Sequence, residues 1–153
     1  MFEKHGVLNK RELWARYEVL LEYYTNKTEI ESFVIQDLAN THIIPGAYKY
    51  VNELIHTAKN LKDLGLAAHN YTIESQVKEI CTLLDTIKEK LSRLKKELQR
   101  ANKHKEAKQK AIAFADKVKP IFHDIRTMTD GLEEIVDDSQ WRLPKYRELL
   151  YLR

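Results

Sequence analysis

The side chains that most often perform catalysis form no recognised pattern in this chain of 153 residues. There is no glycine-rich phosphate loop and no H-E-x-x-H, and no histidine stands at i, i+4 from a carboxylate in metal-ligand spacing. Cys81 borders an apolar seam, where a small buried hydrophobe is expected rather than a nucleophile. We therefore assign no catalytic, cofactor-binding or metal-binding residue from the sequence.

A basic cluster is the first feature that could bind a partner. Between Lys88 and Lys110 the chain carries ten Lys and Arg residues against three Glu residues. Two interpretations stay open: a solvated surface that favours solubility, or a contact with an acidic protein surface. Nucleic acid is not expected as a partner because the stretch has no aromatic side chains for base stacking. The candidate contact residues, called the basic tip, are Lys95, Lys96, Lys103 and Lys105.

Apolar residues are concentrated near the C-terminus, in the stretch "QWRLPKYRELL". Pro144 suits the first position of a short helix, which is too short to be stable alone. We expect the segment to dock on the rest of the chain or on a surface that a larger protein supplies. Its candidate contact residues are Trp141, Leu143, Tyr146, Leu149 and Leu150.

Hydrophobic periodicity predicts the helices that must position these residues. With only four glycines and three prolines, the composition favours a few long helices. Apolar positions recur in steps of three and four over residues 73–101 and again over residues 107–135, and "NKHKE" connects the two series. This pattern predicts an antiparallel helical hairpin, with a bend where Pro120 interrupts the second helix.

The first part of the chain is predicted to be helical too. Asn9 and Glu12 form a capping-box pattern at its start. The apolar stripe then slips to Ile30, Val34 and Leu38, beside a second capping-box pattern at Thr28 and Glu31. We expect either one helix of about 50 residues or two in sequence. The expected fold class is all-α: an elongated antiparallel helical bundle of three long helices, the first one bent near Pro45, plus a short C-terminal helix, in a single domain spanning residues 1–153.

Two further surfaces are predicted to need partners. A straight first helix would outrun the hairpin by about 30 Å. The aromatic residues of the overhang, Trp14, Tyr17 and Tyr24, would then be exposed. The chain either folds this segment back at Thr25 to Thr28 or buries it against a second copy, and we expect self-association, most simply as a two-fold dimer. Acidic residues gather between Asp130 and Asp138, where the dipole of the preceding helix is unfavourable, so these residues are either solvated or neutralised by a cation from a partner.

The setting is expected to be the cytoplasm. A single cysteine excludes an internal disulfide, and the start of the sequence has no apolar signal-peptide core. No run approaches the roughly 18 apolar residues of a membrane span. A net charge of +3 gives no reason to expect a membrane or a nucleic acid as partner.

Four stretches carry a resemblance to a known family: "RELWARYEVLLEYY", "IESFVIQDLANTHIIPGAYKY", "FADKVKPIFHDIRTMTDGLEEIVDD" and "QWRLPKYRELLY". In order and over nearly the whole chain, they resemble the C-terminal region of type III glutamine synthetases, the long-subunit bacterial form. The resemblance implies a parent enzyme that joins ammonia to glutamate with ATP and Mg²⁺ in stacked rings. It also implies that the residues binding these ligands lie in an N-terminal catalytic region outside this chain.

The expected function is therefore that of a structural or assembly module of such an enzyme, non-catalytic by itself. Its expected partners are the catalytic region of the same or a neighbouring subunit and a second copy of the chain. The alternative is a free-standing helical adaptor that binds an acidic protein through the basic tip.

Overall fold

A computed structural model describes residues 9–150, which form helices joined by short turns and contain no strand. The all-α fold class is confirmed. In chain order the elements are α1 (Lys10–Leu38), a π-helical turn (Ala39–Ile43), α2 (Ile44–Asp63), a 3₁₀ turn (Ala67–His69), α3 (Tyr71–Ala101), α4 (Ala107–Ala113), a second π-helical turn (Phe114–Val118), α5 (Lys119–Ile135) and α6 (Tyr146–Leu150).

The start of α1 is the predicted capping box. The Asn9 N–H donates to Glu12 Oε2 at 2.8 Å, and the Glu12 N–H donates to Asn9 Oδ1 at 2.8 Å. These bonds satisfy two amides that a helix start would otherwise leave unpaired. The second capping-box pattern is not a helix start, because Thr28 lies inside α1 and its hydroxyl donates to the Tyr24 carbonyl at 2.9 Å.

Each π-helical turn ends two residues before a proline. The Ile44 N–H donates to the Ala39 carbonyl and the Lys119 N–H to the Phe114 carbonyl, both five residues back. A proline in a helix lacks an N–H and crowds the carbonyl four residues earlier. The wider turn accommodates this crowding, so helical structure continues past Pro45 and Pro120. The first helix is thus continuous from Lys10 to Asp63, and its irregular segment precedes Pro45.

The described chain divides into two compact units, the first made of residues 9–34 with Arg93–Phe122 and the second of Ile35–Ser92 with residues 123–150. In the first unit, α3, α4 and the chain up to Phe122 bury the predicted apolar seam, whereas α1 buries hydroxyl side chains. The buried apolar residues are Leu94, Leu98, Ala101, Ala111, Phe114, Val118 and Ile121.

The buried face of α1 in the first unit differs from the predicted one. Thr25, Thr28 and Ser32 are buried. The expectation that Ile30 and Val34 lie inside is wrong, because they are 63% and 50% exposed. Each buried hydroxyl donates to a carbonyl of its own helix, at 3.0 Å for Thr25 and 2.8 Å for Ser32. Burial therefore leaves no hydroxyl donor unpaired, which removes the usual energetic penalty.

In the second unit, α3 and α5 pack antiparallel. Lys90 Nζ lies 2.7 Å from Asp124 Oδ2, and Leu83 lies beside Gly131. From the first contact to the second, the position moves back by seven residues on α3 and forward by seven residues on α5, as expected for antiparallel helices. The predicted seam fills the space between them and is buried, namely Ile80, Leu84, Ile87 and Leu91 on α3, and Ile125 and Leu132 on α5.

The first prediction concerns this seam. Leu84 and Ile125 are almost fully buried, so Leu84→Ala and Ile125→Ala should each lower the free energy of unfolding by about 2–5 kcal/mol. Lys103→Ala, at an exposed position of the turn after α3, should leave it unchanged. Denaturant unfolding followed by circular dichroism measures all three. Equally small effects at the three positions would contradict the packing of α3 on α5.

The second prediction compares two helical glycines. A Cβ at position 46 would lie 2.6 Å from the Gln140 carbonyl oxygen, whereas at position 131 it would make an ordinary contact, 3.6 Å from Leu83 Cδ1. Gly46→Ala should therefore lower the free energy of unfolding by about 1–3 kcal/mol. Gly131→Ala should raise it by about 0.5–1 kcal/mol, because alanine is the better helix former. The same denaturation assay compares them, and a destabilising Gly131→Ala would refute the packing argument.

Candidate functional site

Among residues 9–150, no group of three or more His, Cys, Asp or Glu side chains is placed to hold a metal ion. Cys81 is a half-buried free thiol. No helix that the structure describes is long and apolar enough to cross a membrane. The features described next are exposed charged and apolar surfaces.

The basic tip is exposed on the first unit. Lys95, Lys96, Lys103 and Lys105 all have exposed side chains. The turn after α3 is fixed to α1 because Asn102 Nδ2 donates to Glu29 Oε1 at 2.6 Å.

Other members of the basic cluster have partners within the chain. Lys90 pairs with Asp124, and Arg100 pairs with Glu97 at 2.5 Å. Lys88 Nζ donates to the Tyr48 hydroxyl at 2.8 Å, and this hydrogen bond raises the pKa of the Lys88 ammonium. Within the basic cluster, Lys90 is thus paired with an acidic residue from outside the cluster, whereas the four lysines of the basic tip are exposed.

Trp14 and Tyr17 lie together at the edge of a groove in the first unit. Their rings meet edge to face, with centroids 5.8 Å apart and planes at 82°. Leu13 and Lys108 complete the lining of the open groove, which has a volume of about 370 Å³ and is called the α1–α4 groove below. Tyr24 is separate from it: this ring is half-buried, and Lys119 Nζ lies 5.6 Å from its centroid.

The most extensive apolar surface of α1 was missed by the sequence analysis. Six large apolar side chains of this helix are at least half exposed and lie on the side away from Thr25, Thr28 and Ser32. They form the outer face of α1 and are Val19, Leu20, Tyr23, Ile30, Phe33 and Val34. The signal that could have revealed it is the three- and four-residue spacing of Thr25, Thr28 and Ser32, a second stripe able to pack inward.

The C-terminal segment supplies the cation that the acidic end of α5 requires. Lys145 Nζ donates to the Glu133 carbonyl at 2.9 Å and the Val136 carbonyl at 3.1 Å, and it lies 2.6 Å from Asp138 Oδ1. Arg147 also pairs with Asp138. A lysine that binds the last carbonyls of a helix opposes the negative end of its dipole. The compensating cation thus comes from the same chain, without a partner.

Asp137 organises the turn after α5. Its carboxylate accepts hydrogen bonds from the Ser139 hydroxyl at 2.5 Å and the Ser139 N–H at 2.8 Å. These two bonds lower the pKa of the Asp137 carboxyl below its ordinary value. Because the folded-state pKa is lowered, this carboxylate stabilises the fold at neutral pH, and the contribution is lost as the pH falls through the lowered pKa.

Four of the predicted apolar anchors of the segment separate into two groups, and the side chain of the fifth, Tyr146, lies outside the described part of the structure. Trp141 is buried and Leu143 half-buried, whereas Leu149 and Leu150 are 50% and 81% exposed. The docking of this leucine pair stays a prediction.

The final helix begins at Tyr146, so its predicted start at Pro144 is wrong. The helix starts after Lys145, whose carbonyl accepts the N–H groups of Glu148 and Leu149.

The third prediction concerns Lys145. Lys145→Met keeps the aliphatic stem but removes the donor to two carbonyls and Asp138, so the free energy of unfolding should fall by about 1.5–3 kcal/mol. The fluorescence maximum of the buried Trp141 should shift to longer wavelength, measured in a Trp14→Phe background. Arg142→Met, at a neighbouring exposed position, is the control. A shift of equal size in the control would show that Lys145 does not hold the segment.

Comparison with known proteins identifies the family. Residues 1–62 match the family model of the glutamine synthetase C-terminal domain. The chain is 38% identical over 152 residues, 96% of its length, to "Glutamine synthetase" of Bacteroides fragilis (strain YCH46). It is 30% identical over 160 residues, 100% of its length, to "Type-3 glutamine synthetase" of Dictyostelium discoideum.

A third relative, "Glutamine synthetase" of Butyrivibrio fibrisolvens, is 26% identical over 154 residues, 99% of this chain. The chain spans about a fifth of the length of each relative: 21%, 21% and 22%. These matches confirm the resemblance on which the sequence analysis relied, and the chain belongs to the family of glutamine synthetase C-terminal domains.

Proposed function

We propose that this chain is a non-catalytic assembly module of a type III glutamine synthetase in the cytoplasm. The parent reaction is the ATP-dependent ligation of ammonia to glutamate, with ATP and Mg²⁺ bound by the catalytic region of the subunit. The module packs against the catalytic region of its own or a neighbouring subunit and so contributes to the assembled enzyme.

The outer face of α1 is the observation that carries this proposal. It places six large apolar side chains on one exposed side of a single helix. Burying half of such a side chain contributes about 1 kcal/mol. The whole face therefore represents several kcal/mol, similar to the net stability of a small domain. An apolar surface of this extent is typical of a protein contact.

The length of the relatives supports a particular occupant for this face. Since the chain spans about a fifth of each relative, most of a relative's polypeptide lies outside the matched region. A catalytic region in that remaining length is the covering surface that we propose for the outer face of α1. The sequence and the fold of α1 agree with this role, because its inner face is already buried through Thr25, Thr28 and Ser32.

The fourth prediction tests the outer face in a subunit that carries this chain after its catalytic region. Ile30→Asp and Val34→Asp should each reduce the mass of the assembled enzyme, because a carboxylate buried in an apolar contact is unpaired. Glu18→Lys, an exposed charge change on α1, should leave the mass unchanged. Sedimentation velocity measures the mass.

An intact assembly in both aspartate variants would contradict the proposed role of the outer face. A separate assay tests the absence of catalysis: the 153-residue chain, incubated with glutamate, ammonia and ATP, should form no glutamine. Turnover by the chain alone would refute the non-catalytic assignment.

A further inference from the structure

Two exposed surfaces are not used by the proposed contact of the outer face. One is the α1–α4 groove, lined by Leu13, Trp14, Tyr17 and Lys108. The other is the end of α6, where Leu149 and Leu150 are exposed next to the exposed Glu148. The first surface is concave, aromatic and basic at one residue. The second is aliphatic and carries the acidic Glu148, next to Arg147, which pairs with Asp138.

The groove has room for two aliphatic side chains. Its volume of about 370 Å³ is more than twice that of a cavity of about 150 Å³ that holds a benzene molecule. The edge-to-face pair of Trp14 and Tyr17 fixes the ring orientations on one wall. Lys108 supplies the cationic side chain of the lining. The groove therefore suits a pair of apolar side chains that follow a carboxylate.

The end of α6 matches this description and is held in a fixed position. Lys145 binds two carbonyls at the end of α5 together with Asp138, and Trp141 is buried upstream. A pre-organised segment loses less conformational entropy on binding than a flexible one. Its leucines can therefore enter a groove without first ordering the chain that carries them.

We propose that α6 of one copy docks in the α1–α4 groove of a second copy, with Leu149 and Leu150 against Trp14 and Tyr17 and with Glu148 near Lys108. This inference deepens the proposed assembly function and rests on it. The occupant is a second copy because an apolar groove with one lysine and an apolar helix end with one glutamate are both exposed in the folded chain, and their charges are complementary. A short helix in an apolar groove is a common mode of recognition.

The groove and α6 are different surfaces, so the contact is two-fold when two copies exchange α6 with each other, and heterologous when each copy uses its groove and its α6 on different neighbours. Heterologous contacts generate rings when the rotation between copies closes, and open chains when it does not. The sequence analysis instead predicts a two-fold dimer through Trp14, Tyr17 and Tyr24. A mixing experiment separates a groove–α6 contact from a dimer in which the aromatic residues meet each other, because two defective variants complement each other only when the contact joins two different surfaces.

The fifth prediction is this complementation, measured by sedimentation with the 153-residue chain. Trp14→Ser impairs the groove, and Leu149→Ser with Leu150→Ser impairs α6; these are exposed positions, so the fold should be retained, as checked by circular dichroism. The unchanged chain should associate with rising concentration, and each variant alone should stay monomeric. An equimolar mixture of the two variants should form heterodimers and nothing larger.

A charge exchange gives a matched control. Lys108→Glu and Glu148→Lys should each raise the dissociation constant about tenfold. The chain carrying both changes should associate as the unchanged chain does. Lys95→Glu, another exposed lysine in the first unit, should have no effect.

Three results would overturn the proposal. The unchanged chain could be monomeric at all concentrations. A dimer could persist in both serine variants, which would indicate a two-fold contact elsewhere. Deletion of residues 1–8 could abolish association and shift Trp14 fluorescence to longer wavelength, which would make the start of the chain the occupant of the groove. All these variants leave the outer face of α1 unchanged. A negative result here would therefore refute the contact between α6 and the groove without refuting the role of the outer face, which the fourth prediction tests separately.

Discussion

Hydrogen bonds from Thr25, Thr28 and Ser32 to carbonyls of their own helix allow the hydroxyl-bearing face of α1 to lie inside the first unit. A buried hydroxyl without a partner would cost about 1–3 kcal/mol, enough to favour turning the apolar side of the helix inward. With the hydroxyls paired locally, the inner side can pack and the apolar side remains at the surface. The outer face of α1 is therefore exposed because the opposite face of the same helix, with Thr25, Thr28 and Ser32, is the one that is buried.

The two π-helical turns solve a related problem of backbone geometry. Pro45 and Pro120 would each remove a helical hydrogen bond and crowd a carbonyl. The N–H groups of Ile44 and Lys119 instead bond to carbonyls five residues back, and helical structure resumes at once. The buried apolar stripe also continues through the second of these turns, at Phe114, Val118 and Ile121.

The parts of the fold that the sequence predicts well are those fixed by local rules. The seam of α3 and α5 follows heptad spacing, and the Asn9 and Glu12 pair follows cap geometry. Predictions fail where the outcome depends on a competition between distant elements. The inner face of α1 is one example, and the binding of Lys145 across a turn to the end of α5 is another. In both cases a polar side chain donates to backbone carbonyls.

The candidate functional surfaces also have a part that the sequence predicts and a part that only the fold reveals. Trp14 and Tyr17 could be named from their residue types, and the structure places them together. Their groove also needs Lys108, which is 91 positions after Tyr17 and reaches it only through the turn that follows α3. Spacing along one helix carries no information on such a pair, because the helical period relates only residues within a few turns.

The close approach of Gly46 to the Gln140 carbonyl limits which residues relatives of this chain can carry at position 46. The space beside position 46 is closed by backbone rather than by a side chain, so it would open only if the segment around Gln140 moved or were lost. A relative without that segment would be free to carry alanine at the corresponding position, with the better helix propensity that alanine brings. Glycine at this position would then serve as a marker, within α2, of a C-terminal extension nearly a hundred residues away.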